Sequence, residues 1–155
     1  MIALLAAVLV GTAPCTARDI RPFNGMLQGA TGTMLGVVYV RNVSQAACAL
    51  GGRPRVQITT RAGRIFQTRE RTFALSSTGA RPRPFLMPRE PALLHLDWSN
   101  WCGAWSGPVG SFRRLYLRVT LTNGSRLRLP LMTGRPRCDQ PSAPSLLYVS
   151  AFGDA

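Results

Sequence analysis

The sequence predicts an all-β chain, an antiparallel β-sandwich held by two disulfides. Three observations carry this. Short runs rich in Val, Thr, Leu, Tyr and Phe recur along 155 residues, broken by turns drawn from 15 glycines and 12 prolines. No run has the 3.6-residue period of an amphipathic helix. Four cysteines, an even count, follow an apolar start. With 46% hydrophobic residues, a chain of this length buries a core, which excludes global disorder.

Met1 to Val10 is almost wholly apolar and is followed by the small residues Gly11, Thr12 and Ala13. That is the pattern of a secretory signal and its cleavage region. The basic leader of such a signal is missing, which would put the true start upstream of Met1. Cleavage after Ala13 would leave Pro14 at a disfavoured position, so the boundary is open. A first buried strand or helix is the alternative. A lipid anchor on Cys15 is opposed by Pro14, where a small residue belongs. The expected division is a signal over 1–13 and one domain over 14–155. No apolar run reaches the roughly 18 residues of a spanning helix, so the mature chain carries no transmembrane segment.

The strands follow in order. Met34 to Arg41 puts Met34, Gly36, Val38 and Val40 on one face, and Arg55 to Arg61 turns Val56 and Ile58 inward. Gly63 and Gly79 mark turns, with a short strand around Phe73 to Ser76. Arg81-Pro82-Arg83-Pro84 suits an exposed extended loop rather than a sheet interior. Ala92 to Trp98 places Leu94, Leu96 and Trp98 on one face and Leu93, His95 and Asp97 on the other. The last strand is expected from Leu146 to Phe152.

The strongest local signal runs from Phe112 to Leu131. Leu115, Leu117, Val119 and Leu121 alternate with Arg114, Tyr116, Arg118 and Thr120. Beyond Asn123-Gly124, Leu127, Leu129 and Leu131 alternate with Arg126, Arg128 and Pro130. This is a hairpin with one apolar and one polar face. A two-residue Asn-Gly turn would pair Leu121 with Arg126 and mix the faces. A three-residue turn over Thr122 to Gly124, with glycine left-handed, pairs Val119 with Leu127 and keeps every leucine inside. That register sets Arg118 opposite Arg128, and opposed like charges cost stability unless an anion sits between them. At least seven short strands with frequent turns make the sandwich immunoglobulin-like.

Cys15, Cys48, Cys102 and Cys138 permit three pairings. Cys15–Cys48 with Cys102–Cys138 is favoured, each closing a loop of about 35 residues and contributing about 3–4 kcal/mol. No CxxC pair is present, which argues against a zinc ribbon or a thioredoxin-type site.

Asn42-Val43-Ser44, followed by Cys48-Ala49-Leu50-Gly51-Gly52-Arg53-Pro54-Arg55-Val56, resembles the N-x-S…C-x-L-x-G-x-P-x-V signature of a family of uncharacterised secreted proteins and lipoproteins of actinobacteria, a domain of unknown function. A Pro-containing turn, then an alternating strand ending in Trp, then Cys, from Pro88 to Cys102, and the late Cys138 fit as well. The likeness covers most of the mature chain. It implies a glycine near Arg89, where this chain has none. It also implies an exported sandwich domain, and it brings no catalytic residue with it.

Formal net charge is +13, from 19 basic residues that are all arginine against six carboxylates. Such a field draws nucleic acid, acidic lipid or acidic wall polymers. The complete absence of lysine and the even spread of arginine look first like a GC-rich genome, and second like selected anion binding. Arg114, Tyr116, Arg118, Arg126 and Arg128 form the candidate anion-binding face. Export disfavours nucleic acid; the expected partners are anionic cell-surface polymers or another envelope protein.

Catalytic signals are weak. His95 is the sole histidine, and no Gly-x-Ser-x-Gly elbow, metal-ligand cluster, cofactor motif or phosphate loop is present. Glu90 and Asp97 are the carboxylates to test for a hydrolase, against the simpler reading that both pair with arginines. Trp98, Trp101 and Trp105 surround Cys102, either as core filling or as a platform for sugar rings, with Trp105 the one expected to be exposed. The expected function is therefore a non-enzymatic binding or structural module of a cell envelope.

Overall fold

Alternation of apolar and polar residues along most of the chain produces strands, not helices. The computed structural model describes residues 11–30, 33–66, 68–72, 74, 79–104, 115–133 and 140–155. The strands are β1 (Ile20–Ala30), β2 (Thr33–Asn42), β3 (Cys48–Ala49), β4 (Arg55–Thr60), β5 (Arg69–Thr72), β6 (Phe85–Leu86), β7 (Pro91–Ser99), β8 (Leu115–Thr120), β9 (Arg126–Thr133) and β10 (Leu146–Val149). A 3-10 turn spans Trp101–Ala104. No described helix is long and apolar enough to cross a membrane.

Eight strands form one hydrogen-bonded series in the order β4-β8-β9-β1-β2-β7-β10-β5, while β3 and β6 pair separately. Most neighbours are antiparallel. Two pairings are parallel: β10 with β5, and β1 with β9 through Met26 beside Met132 and Leu27 beside Thr133. The all-β class expected from the sequence is therefore right, but the arrangement is mixed as well as antiparallel. Instead of two separate sheets, one series runs through the short β1–β9 contact. Its two end strands approach each other through side chains. Arg53, just before β4, reaches Glu70 of β5 at 3.7 Å and Thr72 at 2.7 Å, and the Val56 amide donates to Glu70 at 3.4 Å.

The inward residues meet in one core. Val56, Ile58, Leu117, Val119, Leu127 and Leu129 come from β4, β8 and β9; Met34, Val38, Leu94, Leu96, Trp98 and Leu147 come from β2, β7 and β10. The inward phases read from β2, β4, β7 and the hairpin all hold. Trp98 is buried, its ring centre lies 5.5 Å from that of Phe66 in an edge-to-face arrangement, and its indole N–H donates to Ser145 Oγ at 2.9 Å. Trp101 is buried too, whereas Trp105 lies outside the described residues.

Three elements depart from expectation. β1, the longest strand, has no counterpart in the sequence reading because Pro22, Gly25 and Gly29 look like breakers; a bulge between Phe23 and Gly25 absorbs the irregularity. The strand expected around Phe73 sits earlier, at Arg69–Thr72, and most of 73–78 lies outside the described residues. The last strand ends at Val149, because the following residues turn to bond β7: the Ser150 amide donates to the His95 carbonyl and Gly153 exchanges bonds with Leu93.

Of the two expected disulfides, one is described in full, Cys15–Cys48, spanning 33 residues. Cys102 is also disulfide-bonded and no described cysteine is free, while Cys138, its expected partner, lies outside the described residues.

Candidate functional site: an arginine-lined cleft on the outer face of β4, β8 and β9

The hairpin forms in the expected register. Val119 faces Leu127, Thr120 faces Arg126 and Arg118 faces Arg128. The Leu121 amide donates to the Ser125 carbonyl at 2.8 Å, and Gly124 takes φ +84°, the left-handed conformation the three-residue turn needs. Asn123 completes it by accepting from the Ser125 amide at 3.0 Å.

The Cys15–Cys48 segment holds this turn from outside. The Asn123 side-chain amide donates to the Cys15 carbonyl at 2.9 Å. Gly51 sits at φ +74° so close to Thr122 that any Cβ there would strike the threonine side chain. The disulfide thus connects the amino-terminal segment, β3 and the tip of the hairpin.

β4 adds a third strand to the face. Its register sets Arg55 opposite Thr120 and Gln57 opposite Arg118. One row across the sheet therefore reads Arg55, Thr120, Arg126, and the next reads Gln57, Arg118, Arg128. Arg55, Gln57, Arg118, Thr120 and Arg126 line a cleft of about 240 Å³. Arg55 and Arg126 are exposed, and Arg118 is half-buried beside Gln57, whose Oε1 accepts from its Nη1 at 3.5 Å.

Of the five residues expected on the anion-binding face, the cleft takes two, Arg118 and Arg126. Arg128 is turned away: its guanidinium lies 4.1 Å from the Tyr116 ring centre, and its Nη2 donates to the Arg61 carbonyl at 2.9 Å. Tyr116 thus holds Arg128 rather than lining the cleft, and this stacking separates Arg128 from the opposed Arg118. Arg114 lies outside the described residues. Arg55 was missed; the signal for it is its phase, because alternation with Val56 and Ile58 points it outward.

The described carboxylates are engaged elsewhere or far off. Glu70, beside β4, is occupied by Arg53 and the Val56 amide. Glu90 binds Arg83 and accepts from the Met87 amide at 2.8 Å. Asp154 is bonded by the Arg81 amide at 2.6 Å. Asp19 is held below the usual carboxylate range, chiefly by the Thr16 hydroxyl and also by the Thr16 amide.

Asp97 differs from the expectation of an arginine partner. The register places Leu35 of β2 and Tyr148 of β10 on either side of it, and Arg71 comes only one strand further on. One of its carboxylate oxygens is buried without a hydrogen bond, and burial raises its pKa. His95, two residues earlier, is held below its usual pKa by burial. Glu90 and Asp97 lie seven residues apart at opposite ends of β7, about 23 Å at strand rise, too far to flank one glycosidic bond. Ser150 accepts from the His95 amide at 2.9 Å and donates to the Ala151 carbonyl, so its hydroxyl is occupied by backbone. Among the described residues no group of three His, Cys, Asp or Glu could hold a metal ion.

Asn42-Val43-Ser44 is turn chemistry: Asn42 is buried, its Oδ1 accepts from the Ser44 amide and hydroxyl, and its Nδ2 donates to the Ala46 and Leu86 carbonyls. Comparison of the chain with protein-family models, with curated proteins and with solved structures finds no match.

Proposed function

We propose that the chain is an exported, non-enzymatic module of a cell envelope that binds anionic surface polymers on the outer face of β4, β8 and β9. The observation that carries this reading is the convergence of Arg55, Arg118 and Arg126 on one cleft that no described carboxylate neutralises. Like charges on adjoining strands cost stability, and an anionic ligand would recover that cost. Export is supported by the apolar run from Met1 to Val10 and by a disulfide, which persists in oxidising compartments.

The remaining parts of the reading rest on narrower grounds. An immunoglobulin-like sandwich is supported by the facing apolar sides of β4-β8-β9 and β2-β7-β10 around Trp98. A second bridge from Cys102 to Cys138 is supported by the oxidised state of Cys102. Kinship with the actinobacterial secreted family rests on the likeness of Asn42 to Ser44 and Cys48 to Val56, and Arg89, at φ +66°, is a departure from it where a glycine is implied.

Retention on a teichoic-acid or heparin resin tests the function. Arg118→Ser with Arg126→Ser is expected to lower the salt needed for elution, and an unchanged elution would remove this face from consideration.

A further inference from the structure

We propose that the cleft is built for a single phosphate group of a phosphate-bearing surface polymer, bound among Arg55, Arg118 and Arg126 above the Thr120 hydroxyl. This rests on the anionic-polymer reading and narrows it to one chemical class and one set of contacts.

The register supplies the arrangement. Arg55 and Arg126 stand in one row on either side of Thr120, two strand spacings apart, about 10 Å between their Cα atoms. Arg118 follows Thr120 two residues back along β8, about 7 Å away. Three long side chains rooted at the corners of such a triangle can bring their guanidinium groups to one point above its centre. A planar guanidinium offers paired N–H donors that match two oxygens of a phosphate, and three of them satisfy a tetrahedral anion from different sides. A carboxylate holds its two oxygens in one plane on one side of its carbon, whereas a phosphate diester sets two charged and two bridging oxygens tetrahedrally, so three arginines can approach it from different sides. Thr120, half-buried at the floor, adds a hydroxyl donor.

Side-chain steering agrees with this. Gln57 Oε1 draws Arg118 toward the β4 side of the cleft, while Tyr116 and the Arg61 carbonyl draw Arg128 out of it. The cleft, about 240 Å³, is several times a water molecule's share of liquid volume, about 30 Å³, so it admits a phosphate with the carbons on either side. A polymer is favoured over a lipid surface because the exposed large apolar side chains, Leu35, Val43, Phe85 and Met87, all lie on β2, β6 or the residues beside them. The described apolar groups on the face around the cleft are Tyr116, stacked on Arg128, and Pro130, with no exposed large aliphatic side chain to enter a bilayer.

The experiment is a chemical-shift titration of the full, oxidised protein at fixed ionic strength, with inorganic phosphate, glycerol phosphate oligomer and polyglutamate as probes. Saturable shifts confined to β4, β8 and β9 are expected with phosphate and with the oligomer, and weak, unsaturated shifts with polyglutamate. Arg55→Ala and Arg126→Ala should each weaken phosphate binding about tenfold, whereas Arg128→Ala should change it less than about twofold. Equal losses from Arg128→Ala and Arg55→Ala, or equal affinity for polyglutamate, would overturn the assignment. Binding to phosphatidylglycerol vesicles stronger than to the oligomer would overturn it in favour of a membrane. Arg55→Lys separates contact geometry from charge: it keeps the charge and the strand, and a retained affinity would contradict paired contact by the guanidinium. Resin retention that depends on Arg118 and Arg126 without saturable phosphate binding would leave the anionic-polymer reading standing and sink this one. Saturable phosphate binding without resin retention would do the reverse.

Discussion

On the outer face of β4, β8 and β9, Arg55, Arg118 and Arg126 are exposed or half-exposed with no described carboxylate among them. On the outer face of β2, β7 and β10, Asp97 sits between Leu35 and Tyr148 with one oxygen buried and without a hydrogen bond. Both faces place like-charged or unpaired groups on strands, yet the consequences differ because the side chains differ in reach. An arginine stem lies along the sheet and carries its guanidinium into water, so crowding costs little and leaves donors available to a ligand. An aspartate is too short to escape its neighbours, so its charge bears part of the penalty of burial. Unpaired charge therefore leaves donors free for an anion on the first face and is only a local cost on the second.

The largest perturbation of this comparison is loss of the Cys15–Cys48 bridge. Cys15→Ser with Cys48→Ser is expected to cost about 3–4 kcal/mol in denaturant unfolding, from the entropy of the opened loop. The two faces should not respond equally. The bridged segment holds the hairpin tip through the Asn123 bond to Cys15 and the contact of Gly51 with Thr122. Amide exchange should therefore rise in β8 and β9 well before it rises in β7. Uniform loss of protection would show that the bridge acts only on the unfolded chain.

How far each region could be read from sequence follows the range of its determinants. The β8–β9 hairpin was legible down to its register, because alternation and Asn-Gly lie within twenty residues and leave one arrangement that keeps the leucines inside. The cleft was half legible. Arg118 and Arg126 lie on that hairpin, but Arg55 joins them only because β4 pairs with β8 across more than fifty residues, and no local pattern encodes that pairing. Arg128 stands on the expected face with the outward phase of Arg126, and only the positions of Tyr116 and Arg61 in space turn its guanidinium from the cleft. Asp97 shows the same limit, since the residues flanking it belong to β2 and β10.

A smaller effect is expected at Asp97, and its sign depends on pH. Burial raises this carboxyl above its ordinary 3.8, so the folded state holds the proton more tightly than the unfolded state does. Ionisation therefore destabilises the fold at neutral pH. Asp97→Asn should be more stable than the parent above the folded-state pKa. The gap should shrink as pH falls through that value and close below 3.8. His95 acts in the opposite window: burial lowers its pKa, so protonation as pH falls through 6.5 costs stability in parent and variant alike. Thermal melts of the two proteins from pH 3 to pH 8 separate the contributions. A gap independent of pH would mean that the carboxylate is solvated and that the contrast between the faces is smaller than drawn.

The smallest effect distinguishes the faces most sharply, because it demands opposite signs from one substitution. Arg118 faces Arg128 across β8 and β9, and stacking on Tyr116 relieves only part of that repulsion. Arg118→Ser should therefore raise stability at low salt by a few tenths of a kcal/mol, an increment that disappears as salt screens the pair. The same variant should elute from an anionic resin at lower salt than the parent. A residue present only because arginine is the available cation would give neither change, or would lose stability through its lost packing. A gain in stability joined to a loss of retention is the signature of a charge kept for a ligand, since binding sites retain groups that folding alone would discard. Urea midpoints measured at low and high salt, beside the elution profiles, decide between the two.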